Sequence, residues 1–166
     1  MKDSEILDKA TETLDIEIEA LAHVKNNLGG SFAKLVRKSL EITENGGKIV
    51  VSGVGKSGHI GRKIAATLAS TGSPAVFVHP VEAMHGDLGM IQKKDILLAL
   101  SYSGESDELI QMIPSVKRFD IPIASITATN TSTLAKYSDI TITISVPREA
   151  CPFNLAPTAT TTAMLA

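Results

Sequence analysis

Residues 100–108 read L-S-Y-S-G-E-S-D-E. The apolar run Ile96–Leu100 leads into them, and Leu109, Met112, Ile113 and Val116 follow at helical spacing. That order predicts a strand, a tight hydroxyl-rich turn and a helix start. Ser101, Ser103 and Ser106 would gather three hydroxyls around one point, beside backbone N–H groups that a first helical turn leaves unpaired. The helix dipole adds partial positive charge there, so the turn suits a phosphate without arginine. Serine-rich turns also simply cap helices. A second such turn, at residues 53–58, gives the first its weight.

Working outward, apolar β-rich runs occur at residues 49–51, 75–78, 96–100, 121–126 and 140–145, and helical stretches or loops with helix potential separate them. Continuous apolar runs in strict alternation with helices predict an α/β fold, a parallel sheet covered on both faces. In the last run Ile140, Ile142 and Ile144 alternate with Thr141 and Thr143, so this strand belongs at an edge. Ligands of such sheets collect beyond the carboxyl ends of the strands.

Two helices are expected before the first strand. Residues 4–24 carry Leu7, Leu14, Ile18 and Leu21 on one stripe, with Glu5, Glu12, Glu19 and Lys25 away from it. Ser31 can cap a second helix, on which Phe32, Leu35, Val36 and Leu40 share a face, and Gly46-Gly47 stops it. These helices pack either on the sheet or on another subunit. At the other end, residues 156–166 predict a helix opened by Pro157, with Thr158 to Thr162 in its first turns. Its ending, Met164-Leu165-Ala166, has no capping signal, and the chain is expected to continue in a parent protein.

Composition narrows the class. The chain has 166 residues, of which 43% are hydrophobic, and a net charge of -2. This suits one domain with a sizeable, mainly aliphatic core. No basic block is present, which argues against nucleic acid as a partner. The single cysteine, Cys151, rules out an intrachain disulfide, and no stretch approaches a membrane span, so a cytoplasmic protein with no membrane partner is expected.

The turn Gly53-Val54-Gly55-Lys56-Ser57-Gly58 satisfies G-x-G-x-x-G, but the following strand reaches His79-Pro80 with no acid at its tip to hold a ribose. A nucleotide P-loop would need glycine at position 50, which is Val50. What remains is a turn where backbone approaches a ligand, with the Lys56 ammonium at its centre, able to stabilise negative charge on a reacting oxygen. Glu108, one turn into the helix after the serine turn, and Glu149, in P-R-E-A-C-P, are the candidate carboxylates. As a surface acid Glu149 could instead pair with Arg148, while Glu105 and Asp107 complement the helix dipole. His79 and His85 belong to the ligand side, where they could meet sugar hydroxyls or a metal; His23 and His59 read as helix residues. A phosphate cradle, an ammonium and a carboxylate suffice to move a proton between carbons next to a carbonyl. That chemistry is aldose–ketose isomerisation of a phosphorylated sugar, and it needs no cofactor.

At these residues the sequence closely resembles the sugar isomerase (SIS) domain, and more narrowly the arabinose 5-phosphate isomerases. The resemblance rests on S-G-V-G-K-S-G-H-I-G-R-K, A-S-T-G-S-P, H-P-V-E-A-M-H-G-D-L-G-M, S-Y-S-G-E-S-D-E and R-E-A-C-P-F-N-L-A-P-T. It implies a three-layer sandwich with a five-stranded parallel sheet, in a homodimer or homotetramer with sites near subunit contacts. It implies interconversion of ribulose 5-phosphate and arabinose 5-phosphate for octulosonate synthesis in lipopolysaccharide or capsule. It puts catalytic weight on Lys56, Glu108 and Glu149, with Glu149 as carbon base and Glu108 assisting, or the reverse. Substrate binding would fall to Gly55, Ser57, Gly72, Ser73, Ser101, Ser103, Gly104 and Ser106. His79 and His85 would line the sugar pocket and could capture an inhibitory metal, though no metal is required. Members of the family continue to a Ser-His-Pro-Gly-Gly segment and usually to CBS domains. A sugar-phosphate-binding regulatory module is the alternative reading.

Overall fold

The computed structural model describes residues 2–165. Ala166, included in the expected last helix, lies outside the described residues. Two helices, α1 (Asp3–Asn27) and α2 (Gly30–Glu44), precede an alternation of strands and helices. These are β1 (Ile49–Gly53), α3 (Gly55–Ser70), β2 (Ala75–Phe77), α4 (Pro80–Met84), β3 (Ile96–Leu100), α5 (Asp107–Lys117), β4 (Ile123–Thr127), α6 (Thr133–Tyr137), β5 (Ile140–Thr143) and α7 (Ala159–Leu165). All strand pairs are parallel, and the sheet order is β2-β1-β3-β4-β5.

Strand side chains alternate between two packed faces, as a period of two requires. Val50, Leu97, Ala99 and Ile123 meet Leu109, Met112, Ile113 and Val116 of α5, with Ala83 of α4 and Leu134 of α6. On the opposite face Val51, Ile96, Leu98, Leu100 and Ala124 meet Ile60 and Ala65 of α3 and Met164 of α7, with Leu35 and Ile42 of α2 packed against them. β5 is the expected edge: Ile140 and Ile142 are buried, Thr141 is half-buried and Thr143 is exposed.

Several local expectations change. The fourth strand begins at Ile123 rather than at residue 121, because Pro122 supplies no N–H to the ladder. Gly29, not Ser31, occupies the cap position of α2, and no side chain caps that helix. α7 begins at Ala159, two residues after Pro157. The largest difference lies in α1. Ile16 and Ala20 are the buried residues and pack on Ala159, whereas Leu14 and Ile18 of the sequence-read stripe are 59% and 61% exposed. Leu7 is exposed as well, and so are Phe32, Val36 and Leu40 on α2. Periodicity identifies an apolar face on each helix, but most of that face points away from the sheet.

Beneath the sheet, at the start of β1 and β3, the buried Asp95 carboxylate accepts the Lys48 N–H at 3.0 Å and the Gln92 N–H at 2.8 Å. It also receives the Lys48 ammonium at 2.7 Å. These charge-assisted bonds join two central strands below the core. Asp95→Ala should lower stability by about 2–3 kcal/mol, since the freed Lys48 can reach water while two N–H groups lose their acceptor. Urea denaturation measures the loss.

Candidate functional site

The strand order reverses between β1 and β3, since β1 connects outward to β2 and β3 connects the other way to β4. Register pairs Gly53 with Leu100, the last residues of the two strands, so the turns that follow start side by side. α3 then crosses one face of the sheet and α5 the other. The crevice at this reversal is where open α/β sheets bind ligands.

α3 and α5 open toward the crevice without side-chain caps. Gly58 sits in the first turn of α3, and a Cβ there would lie 2.8 Å from the Gly53 carbonyl oxygen, so glycine permits this approach of helix to strand. The turn read from sequence is thus already helix at Gly55, which places Lys56 and Ser57 in the first turn of α3. Ser106 precedes α5 and makes no capping bond. Its Oγ instead lies 2.9 Å from Ser101 Oγ, and Ser101 Oγ accepts the Gly104 N–H at 3.1 Å. Ser103 Oγ accepts the Glu105 N–H at 3.2 Å and keeps its own hydrogen to donate outward. Gly104 has φ +68°, and a Cβ on it would collide with the side chain of Ser132. Glycine is therefore required there for both conformation and space.

A cavity of about 460 Å³ lies over these turns. Lys56, Ser57, Ser101, Ser103, Ser106 and Glu149 all line it. The remaining wall comes from Tyr102, from the segment Val146 to Arg148, from Asn154, Leu155 and Pro157, and from Thr160, Thr161 and Met164 of α7. Tyr102 ties the two halves together, because its hydroxyl accepts the Val146 N–H at 3.2 Å. The carboxylate of Glu149 accepts the Thr158 N–H at 2.7 Å and the Thr160 N–H at 3.2 Å at the start of α7. No ion pair joins Glu149 to Arg148 among the described residues, so the expected alternative of a surface pair is replaced by a helix-terminal one.

Other sequence candidates lie elsewhere. Glu108 is exposed in the first turn of α5 and is not in the cavity wall. His79 is half-buried, its Nδ1 accepts the Val81 N–H at 3.3 Å, and its ring leans on Phe77 at 6.5 Å between centroids. His85 is exposed just past α4. Gly72 and Ser73 follow α3 at its far end, and Gly55 opens it outside the lining. Among the described residues no group of three His, Cys, Asp or Glu side chains is arranged to hold a metal. Tyr102, Thr158 and Thr160 were not singled out from sequence. Only P-T-A-T at the start of the last predicted helix hinted that hydroxyls would gather near Glu149.

The chain's residues 41–166 match the SIS domain model. It belongs to the SIS domain family. Over 159 residues, 96% of the chain, it is 50% identical to the arabinose 5-phosphate isomerase KdsD of Francisella tularensis. It is 48% identical to KdsD of Escherichia coli K12 over 93% of the chain. It spans about half the length of these relatives, 49% and 46% respectively. Among solved structures, a protein of E. coli CFT073 in complex with arabinose 5-phosphate superposes with a TM-score of 0.94 at 38% identity, over 99% of this chain and 86% of that one. The expected five-stranded parallel three-layer fold is the one observed. No helix among the described residues is long and apolar enough to cross a membrane.

Glu105 departs from its expected role. Rather than complementing α5, its carboxylate accepts the Thr133 N–H at 2.7 Å at the start of α6. That bond lowers its pKa from the ordinary 4.5. A lowered folded-state pKa contributes stability above the unfolded value and loses it as pH falls through the folded one. Glu105→Gln should therefore melt below the parent at neutral pH, with the gap closing as pH falls below 4.5. Thermal melts across that range measure it.

Proposed function

We propose that this chain carries the catalytic core of an aldose–ketose isomerase that interconverts D-ribulose 5-phosphate and D-arabinose 5-phosphate. The observation that carries the reading is one cavity lined by Lys56, by the hydroxyls of Ser101, Ser103 and Ser106, and by the carboxylate of Glu149. The names of the relatives and the arabinose 5-phosphate complex of the structural neighbour support the substrate class.

In this reading the phosphate rests on the serine hydroxyls and the uncapped first turns of α3 and α5. The carbon chain then extends toward Lys56 and Glu149. Starting from the ketose, Glu149 takes a proton from C1, and the C–H electron pair becomes the C1=C2 bond. The C2 carbonyl oxygen gathers negative charge, which the Lys56 ammonium stabilises. Glu149 returns the proton to C2 while the O1 hydroxyl proton passes to O2, leaving the aldehyde at C1. The geometry favours Glu149 over Glu108 as carbon base, since only Glu149 lines the cavity. In the cell we assign this step to cytoplasmic supply of arabinose 5-phosphate for octulosonate in lipopolysaccharide or capsule. The exposed apolar faces of α1 and α2, around Leu14, Ile18, Phe32 and Val36, support a symmetric homo-oligomer, because monomers rarely leave such area open.

Lys56→Ala should reduce kcat for ribulose 5-phosphate by roughly 10²–10³-fold with the melting temperature held. Unchanged turnover would overturn the reading. Ser103→Ala and Ser106→Ala should each weaken arabinose 5-phosphate binding by roughly tenfold in calorimetry, the weight of one charge-assisted hydrogen bond. Arabinose without phosphate binding as tightly as its 5-phosphate would refute the cradle. Tight binding with no turnover in the full natural protein would favour the regulatory module.

A further inference from the structure

The segment after β5 holds Glu149 by hydroxyls and amides rather than by a cation. Glu149 Oε2 accepts three bonds, from the Thr158 N–H at 2.7 Å, the Thr158 hydroxyl at 3.1 Å and the Thr160 N–H at 3.2 Å. Oε1 accepts the hydroxyl of Thr160. The Thr158 hydroxyl in turn accepts the Ala150 N–H at 2.7 Å, so the residue after Glu149 is tied to the same group. A carboxylate offers about four acceptor sites shared between its two oxygens. Oε2 is therefore saturated, while Oε1 keeps a lone pair free.

Thr160 is buried and shares the cavity wall with Glu149, while Thr158 grips the carboxylate from outside the wall. α7 itself is anchored from behind. Ala159 packs on Ile16 and Ala20 of α1, and the Thr162 hydroxyl donates to Glu17 Oε2 at 3.1 Å. A proton acceptor needs a free lone pair and a fixed direction, and neutral donors supply the direction without pairing its charge. We infer that Thr158 and Thr160 are positioning residues, which hold Glu149 so that Oε1 is the atom receiving the substrate proton. The inference rests on the isomerase reading above for the proton transfer, and on geometry alone for the clamp.

Two experiments separate these parts. In ribulose 5-phosphate turnover, Thr160→Val should lower kcat about 10–100-fold, the weight of a misplaced reacting group, with KM held within about twofold. Thr160→Ser should recover most of the loss. Because Thr160 acts through Glu149, adding Thr160→Val to Glu149→Gln should slow the enzyme no further. A kcat for Thr160→Val equal to the parent's, or an undiminished further loss in the double variant, overturns the positioning role. The clamp is read separately by amide hydrogen exchange, with no substrate. Glu149→Ala should speed exchange at the Thr158 and Thr160 amides about tenfold or more, as each loses its acceptor. Unchanged exchange there overturns the clamp even if the parent is a fully active isomerase. A parent that turns nothing over while its clamp amides respond would instead defeat the isomerase reading, and the assignment of Oε1 with it.

Discussion

The site depends on the parallel pairing of β1 with β3, which ends both strands at the same level with Gly53 beside Leu100. Because their connections leave in opposite directions, the following helices start together but run over opposite faces of the sheet. Each helix N-terminus carries backbone N–H groups that its own coil cannot satisfy. Two such ends meet at the crevice without side-chain caps. A small anion is the natural partner for that concentration of donors and dipole.

The third helix end at the cavity is handled differently. The first turn of α7 is capped by Glu149, so the same kind of donor set that leaves α3 and α5 open to an anion here fixes a carboxylate. The cavity thus has an end suited to bind negative charge and a wall that presents it. Lys56, in the first turn of α3, lines the same cavity. A phosphorylated substrate with an ionisable C–H would find complementary groups along its length.

Much of the scaffold was legible because it is written in local patterns. Five apolar runs separated by helical stretches specified the sheet, and the alternation of Ile140, Thr141, Ile142 and Thr143 marked the edge strand. The serine turn was legible because hydroxyls and glycine at such spacing follow from turn chemistry, and the positive-φ, sterically closed corner at residue 104 admits only glycine. What periodicity could not show was where an apolar helix face points. The Leu14 and Ile18 stripe of α1 is real, yet α1 packs through Ile16 and Ala20 on α7.

The sequence by itself determined the alternating α/β order and the chemistry of the two turns, since strand pattern, helix starts and turn residues act within a few positions of one another. Only the tertiary structure decided which distant side chains share one space. It put Glu149 in the cavity wall with Lys56 and the three serines, left Glu108, His79 and His85 outside that wall, and turned Glu105 toward α6. The reason is physical: α7 starts beside Glu149 only because α1 and α3 pack on it. Those contacts join residues more than a hundred positions apart, which no local pattern encodes.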